Sequence, residues 1–250
     1  MNRHPDRRIR LSVMQLLPNA LTLAALCAGL TAIRFAVAED FDRAAALILL
    51  AAVLDGLDGR LARRLRSESA MGAELDSLCD VVNFGVAPAL VLHLWAYGSA
   101  GGLGWIAALV YATACALRLA RFNISSRDAL ATSMPNTAFT GVPSPAGAML
   151  ALLPIFVGNL LPGAVLPGPA CALWMVAVAS LMISRLPTPA FRPVRVRPDQ
   201  ARLLLLGAVA LGAALLTYPW LTLVLMDLAY LLLLLLGWIR LRRRPARKDM

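Results

Sequence analysis

The sequence predicts an all-α fold, a polytopic transmembrane bundle of about eight membrane helices with both termini cytoplasmic. Three observations lead there. Of the 250 residues 60% are hydrophobic and 15% charged, with a mean hydropathy of +0.72, whereas soluble domains carry about 25% charged residues. Apolar runs recur at 16–38, 43–60, 77–97, 103–120, 145–161, 168–184, 202–217 and 219–239, and a helix of ~20 apolar residues crosses a bilayer. The basic residues fall in alternate connections. Arg3, Arg7, Arg8 and Arg10 precede the first run, Arg60, Arg63, Arg64 and Arg66 follow the second, and Arg240 to Lys248 close the chain. Only Arg34 and Arg43 fall toward the other side, so the positive-inside rule places the termini and basic loops in the cytoplasm. The net charge of +10 is then a matter of topology, with membrane lipids as secondary partners. A nucleic-acid partner is not needed to explain it.

Each element has its own signals. Residues 1–15 are polar and basic and are expected to lie along the membrane surface, and Pro18-Asn19 opens the first helix. The Arg-rich start, the apolar stretch and Ala36-Val37-Ala38 resemble a signal peptide. Arg34 interrupts that pattern, and the even helix count favours a retained first span. Connections at 39–42, 98–102 and 159–167 are short turns, whereas 122–144 and 185–201 are expected to be irregular and cytoplasmic. Cys27, Cys79, Cys115 and Cys171 fall in expected spans without metal or disulfide spacing.

The chemistry concentrates between residues 55 and 145. Charged groups inside membrane helices cost ~2.5–3.5 kcal/mol each and mark function. Asp55, Asp58, Gly59, Ala62 and Arg63 share one face at helical spacing, as do Gly72, Asp76 and Asp80 on the next helix. A short turn makes the two an antiparallel hairpin, which brings four carboxylates around one cavity with small residues in its walls. Such a cluster calls for hard divalent cations, Mg²⁺ or Mn²⁺, whose shells substrate phosphates complete. A proton or cation relay in a transporter can use the same acids.

The pattern D-x2-D-G-x2-A-R-x8-G-x3-D-x3-D, matched at every specified position from Asp55 to Asp80, resembles the signature of the CDP-alcohol phosphatidyltransferases. The resemblance implies a site at the cytoplasmic face of the inner membrane, two divalent metal ions, a CDP-linked lipid donor such as CDP-diacylglycerol, and a homodimer. It implies metal-ligand roles for Asp55, Asp58, Asp76 and Asp80, with Asp80 also the general base on the acceptor. Gly59, Ala62, Arg63 and Gly72 are implied to line the CDP site, and Ser69 is placed either to reach the nucleotide or to cap a helix. The expected domain map is a basic segment at 1–15, one transmembrane catalytic domain at 16–240 with motif helices in 43–97, and a basic tail at 241–250.

Several further runs resemble the phosphatidylserine synthase branch of that family, which implies L-serine as acceptor. They are Pro18-Asn19 through Thr22, Asp76 through Ala89, Arg118 through Asn123, and Phe139 through Pro145. Asn83 departs from the branch, which usually shows Ser there, and is a candidate acceptor contact or a helix-kink residue. Arg118 and Arg121, three apart on one face, are placed to take a carboxylate bidentately, or to end the fourth helix. A glycerol 3-phosphate acceptor wants the same arginines, and choline is a further alternative. His93 is expected to be structural, and Asp227 to hydrogen-bond between helices or at the interface.

Overall fold

The computed structural model describes residues 13–65, 67, 69–98, 101–132, 141–161, 163, 166–184 and 198–242. The expected surface segment before residue 13, the tail after 242 and most of 185–201 lie outside the described residues. Within them the chain is helical, with no strand. The helices are α1 (Val13–Val37), α2 (Phe41–Leu65), α3 (Ala70–Asp80), a π-helical stretch (Val81–Val86), α4 (Ala87–Tyr97), α5 (Gly102–Thr132), α6 (Ser144–Leu160), α7 (Gly168–Ile183), α8 (Pro198–Thr217) and α9 (Pro219–Arg242). Because α3, the π stretch and α4 run on without a break, the described residues form eight rods, as the sequence predicts.

Four segments are both long and apolar enough to cross a membrane: Leu17–Val37, Met71–Tyr97, Gly102–Ser125 and Pro219–Ile239. The apolar stretches Ser144–Leu160, Gly168–Ile183 and Arg202–Thr217 are shorter. A 17-residue helix such as α6 rises ~26 Å, a little less than the ~30 Å hydrocarbon core. The outward surface is that of a membrane protein: Leu203, Leu204, Leu205 and Leu206 are each at least 60% exposed, a greasy patch that lipid, not water, accommodates.

Small residues set the helix contacts. On α1, Ala25, Ala28, Ala32 and Ala36 form a buried stripe facing Ala44, Ala45, Ile48 and Ala51 of α2. Such stripes let helix backbones approach closely in lipid. A second tight pair, α5 and α7, buries Ala107, Tyr111, Ala114 and Cys115 with Met175, Val178, Ala179 and Met182. α9 closes against α6, where Phe156 and Trp220 stack at 6.2 Å.

Prolines inside the rods leave carbonyls without donors, and neighbouring helices supply them. Pro88 has no N–H for the carbonyl of Phe84, four residues back. The chain widens into the π stretch there, and the Tyr111 hydroxyl of α5 donates to Phe84 O at 2.9 Å. Pro154 likewise deprives Leu150 O, which accepts from the Trp174 indole of α7 at 2.7 Å.

One expectation is corrected. The segment from residue 122 is not irregular, because α5 continues helically to Thr132. Helix-forming Arg, Ala and Leu fill it with no Gly or Pro before Pro135, and its 31 residues rise ~46 Å, past the bilayer core. Asn123 Nδ2 ties this extension to Ser77 Oγ of α3 at 2.9 Å.

Candidate active site

The α2–α3 hairpin forms as expected, and Ser69 caps α3 by accepting from Gly72 N at 3.0 Å. Asp55 on α2 and Asp76 and Asp80 on α3 each turn one carboxylate oxygen inward, all within 4.8 Å of one another. Asp80 Oδ1 is buried without a hydrogen-bond partner. Hard oxygens this close, on a carboxylate with an unpartnered buried oxygen, fit a divalent cation such as Mg²⁺ or Mn²⁺.

Asp58 stands apart from that trio. It is 3% exposed, and the Thr22 hydroxyl of α1 donates to its Oδ2 at 2.5 Å. With Asp76 it lines a cavity of about 520 Å³ between α1, α2 and α3. The expected nucleotide residues Gly59, Ala62, Arg63, Ser69 and Gly72 all line it too. The space is of ligand size. Asp76 belongs to both groups, so the carboxylate trio borders the cavity.

Two glycines are fitted to this place. A Cβ on Gly59 would meet only the Arg63 guanidinium, at 3.7 Å, so that wall stays open. A Cβ on Gly72 would stand 3.0 Å from Asn19 Oδ1 and 3.1 Å from Ser69 Oγ. Asn19 and Thr22 of α1 are thus site residues; the run Pro18-Asn19 through Thr22 stood out in the sequence only as a likeness to the serine branch, with no role attached.

The acceptor residues are placed differently from the simple expectation. Arg118 and Arg121 do not form a shared fork. Arg118 Nη1 donates to Ser144 Oγ at 2.6 Å, whereas Arg121 Nη1 and Nη2 donate to Ile183 O at 3.2 Å and Ser184 O at 3.5 Å. Arg121 therefore serves the carbonyls at the end of α7. The Arg118 guanidinium remains within electrostatic range of Asp80. Asn83, in the π stretch, is buried with its Oδ1 unpartnered and turned to α1, where a Cβ on Gly29 would collide with it. That close approach explains why Gly29 carries no side chain.

The remaining residues fall as follows. His93 packs between Tyr97 and Trp105, with ring centroids at 6.1 and 5.8 Å, and lies 13 positions beyond Asp80 on the same rod, ~20 Å along it. The four cysteines are free thiols; Cys27 is exposed and the rest are buried. Asp227 is buried, with its Oδ2 unpartnered.

The sequence model for CDP-alcohol phosphatidyltransferase matches residues 15–186, which contain Asp55, Asp58, Asp76 and Asp80. The chain belongs to the CDP-alcohol phosphatidyltransferase family. Relatives named CDP-diacylglycerol–serine O-phosphatidyltransferase include one from Mycobacterium tuberculosis, 41% identical over 220 residues, covering 87% of this chain and 76% of the relative. One from Helicobacter pylori is 36% identical over 73% of this chain and 75% of its own length. One from Bacillus subtilis is 31% identical over 72% and 93%. As a CDP-alcohol phosphatidyltransferase, the chain is a multi-pass membrane protein whose acidic trio and adjoining cavity both lie within the shared region.

Proposed function

We propose that this enzyme transfers the phosphatidyl group of CDP-diacylglycerol to the hydroxyl of L-serine, giving phosphatidylserine and CMP. The observation that carries the reading is the convergence of Asp55, Asp76 and Asp80 beside a nucleotide-sized cavity that Asp58 and Arg63 also line. The serine-specific names of relatives at 31–41% identity support the acceptor.

In this reading the cytidine and its phosphates occupy the cavity against Gly59, Ala62, Ser69 and Gly72, and Arg63 forks onto a phosphate. Asp55, Asp58, Asp76 and Asp80 hold one or two Mg²⁺ or Mn²⁺ ions. When bound, such an ion neutralises pyrophosphate charge and eases departure of CMP. Arg118 binds the serine carboxylate. Asp80 takes the proton from the serine hydroxyl, whose oxygen forms a bond to the lipid-bearing phosphorus as the bond from that phosphorus to the bridging oxygen breaks. Arg121 and Asn83 shape the surrounding helices in this scheme. The arginine pattern supports a site facing the cytoplasm at the inner membrane, and pairing of two copies follows from the family resemblance.

The test is CMP release by purified protein in detergent with CDP-diacylglycerol and Mn²⁺ or Mg²⁺, comparing L-serine, glycerol 3-phosphate, choline and no acceptor. Stimulation by serine alone is expected. Stimulation by another alcohol alone overturns the acceptor, and the absence of metal-dependent release overturns the enzyme reading. Asp80→Asn is expected to abolish turnover while CDP-diacylglycerol still binds; near-normal turnover overturns the base assignment.

A further inference from the structure

The π stretch Val81–Val86 begins at the residue after Asp80, so the last carboxylate of the trio and the widened turn share one unbroken backbone. Pro88 alone does not require that widening. Pro154 of α6 also strips a carbonyl of its donor, and the Trp174 indole supplies another, yet α6 stays α-helical throughout. At Pro88 the same repair comes with a π turn, and two neighbouring helices press on it. A Cβ on Gly85 would stand 3.1 Å from Cys115 Cβ of α5, and Asn83 abuts Gly29 of α1. Between those two contacts the fully buried Tyr111 holds Phe84 O by its hydroxyl, at 2.9 Å.

A π turn takes in one residue more than an α turn, and one residue is ~100° of rotation about the helix axis. α4 is fixed by the burial of Ala87, Ala89, Val91 and Leu92 in the core. An α-helical 81–86 joined to the same α4 would therefore turn α3 by about 100°. That rotation carries Asp76 and Asp80 off the side that meets Asp55 of α2.

We propose that Tyr111 is a positioning residue for the carboxylate trio: with Pro88 it holds the π turn that aims Asp76 and Asp80 at Asp55. Pro88 forbids the α-helical alternative, because Phe84 O would then lack its donor, and Tyr111 supplies that donor only in the widened form. The device acts from α5 through one backbone carbonyl. This inference rests on reading the trio as a divalent-cation site, and it is independent of which alcohol is the acceptor.

The test uses the full-length chain in detergent after chelator treatment. Mn²⁺ binding is followed by the electron paramagnetic resonance signal of the free ion, beside the unfolding temperature of the metal-free protein. Pro88→Ala gives Phe84 O a donor within an α-helix. It is expected to weaken Mn²⁺ binding by about 10–100-fold with a metal-free unfolding temperature no lower than that of wild type. Tyr111→Phe is expected to lose both Mn²⁺ affinity and stability, and the double variant to recover the stability without the affinity. Trp174→Phe, the matched repair away from the carboxylates, is expected to lose stability alone. Wild-type Mn²⁺ affinity in Pro88→Ala and in the double variant overturns the inference and leaves the metal reading standing. Equal loss of affinity in Trp174→Phe marks a general structural effect and also overturns it. If the wild-type protein binds no Mn²⁺, the metal reading falls and this inference with it.

Discussion

Asp58 and Asp80 illustrate how much a single carboxylate depends on what touches it. Asp58 is held by a hydroxyl from another helix, whereas Asp80 meets the carboxylates of Asp55 and Asp76 and keeps its Oδ1 buried without a hydrogen-bond partner. A hydrogen bond to a charged group contributes ~1.5–3 kcal/mol, so Thr22 fixes the wall of the nucleotide cavity. Thr22→Val is expected to raise KM for CDP-diacylglycerol about tenfold with a smaller change in kcat; steady-state kinetics with the lipid varied checks this. The aspartates were legible in the sequence because their spacing is local and their presence in apolar helices is costly. Thr22 was not legible as an Asp58 partner, because 36 positions separate them and only the packing of α1 on α2 joins them. Arg121 shows the opposite failure: its spacing from Arg118 is right, but the carbonyls at the end of α7 claim it.

Among the helices, the prolines and their aromatic donors carry the argument. Tyr111→Phe leaves Phe84 O without its donor in a water-free interior, at a cost of about 1–3 kcal/mol. The expected outcome is a lower unfolding temperature in detergent, measured by a thermal scan, and the same loss for Trp174→Phe at Leu150 O. Restoring the missing N–H by Pro88→Ala is expected to remove most of the Tyr111→Phe penalty. The prolines are visible in the sequence, but the donors to Phe84 O and Leu150 O, 27 and 24 residues from those carbonyls, are not. Gly29→Ala is a sharper test of the α1 contact, since the added methyl collides with Asn83 Oδ1. Lower stability together with weaker CDP-diacylglycerol binding is expected, because the displaced helix also carries Asn19 and Thr22.

For the molecule as a whole, the carboxylate trio makes stability a function of metal. Like charges held this close repel, and an ion bound only by the folded state stabilises by ~2.7 kcal/mol at a hundred times its Kd. Adding Mn²⁺ or Mg²⁺ to chelator-stripped protein is therefore expected to raise the unfolding temperature. Asp76→Asn is expected to abolish that shift while leaving the metal-free protein no less stable. The eight rods and most of their ends were legible because bilayer thickness fixes helix length. The extent of α5 was not, because its last residues outrun the membrane and hydropathy no longer reports on them. Nor was the place of α9, whose Leu-rich sequence says nothing about which neighbour it faces. The donor cavity is lined entirely by residues 18–76, whereas Arg118 and Ser144 come from α5 and α6. As the chain leaves the ribosome from its N-terminus, every residue lining the nucleotide cavity emerges ahead of Arg118 and Ser144, so biogenesis presents the place for the donor before the groups that would receive the alcohol.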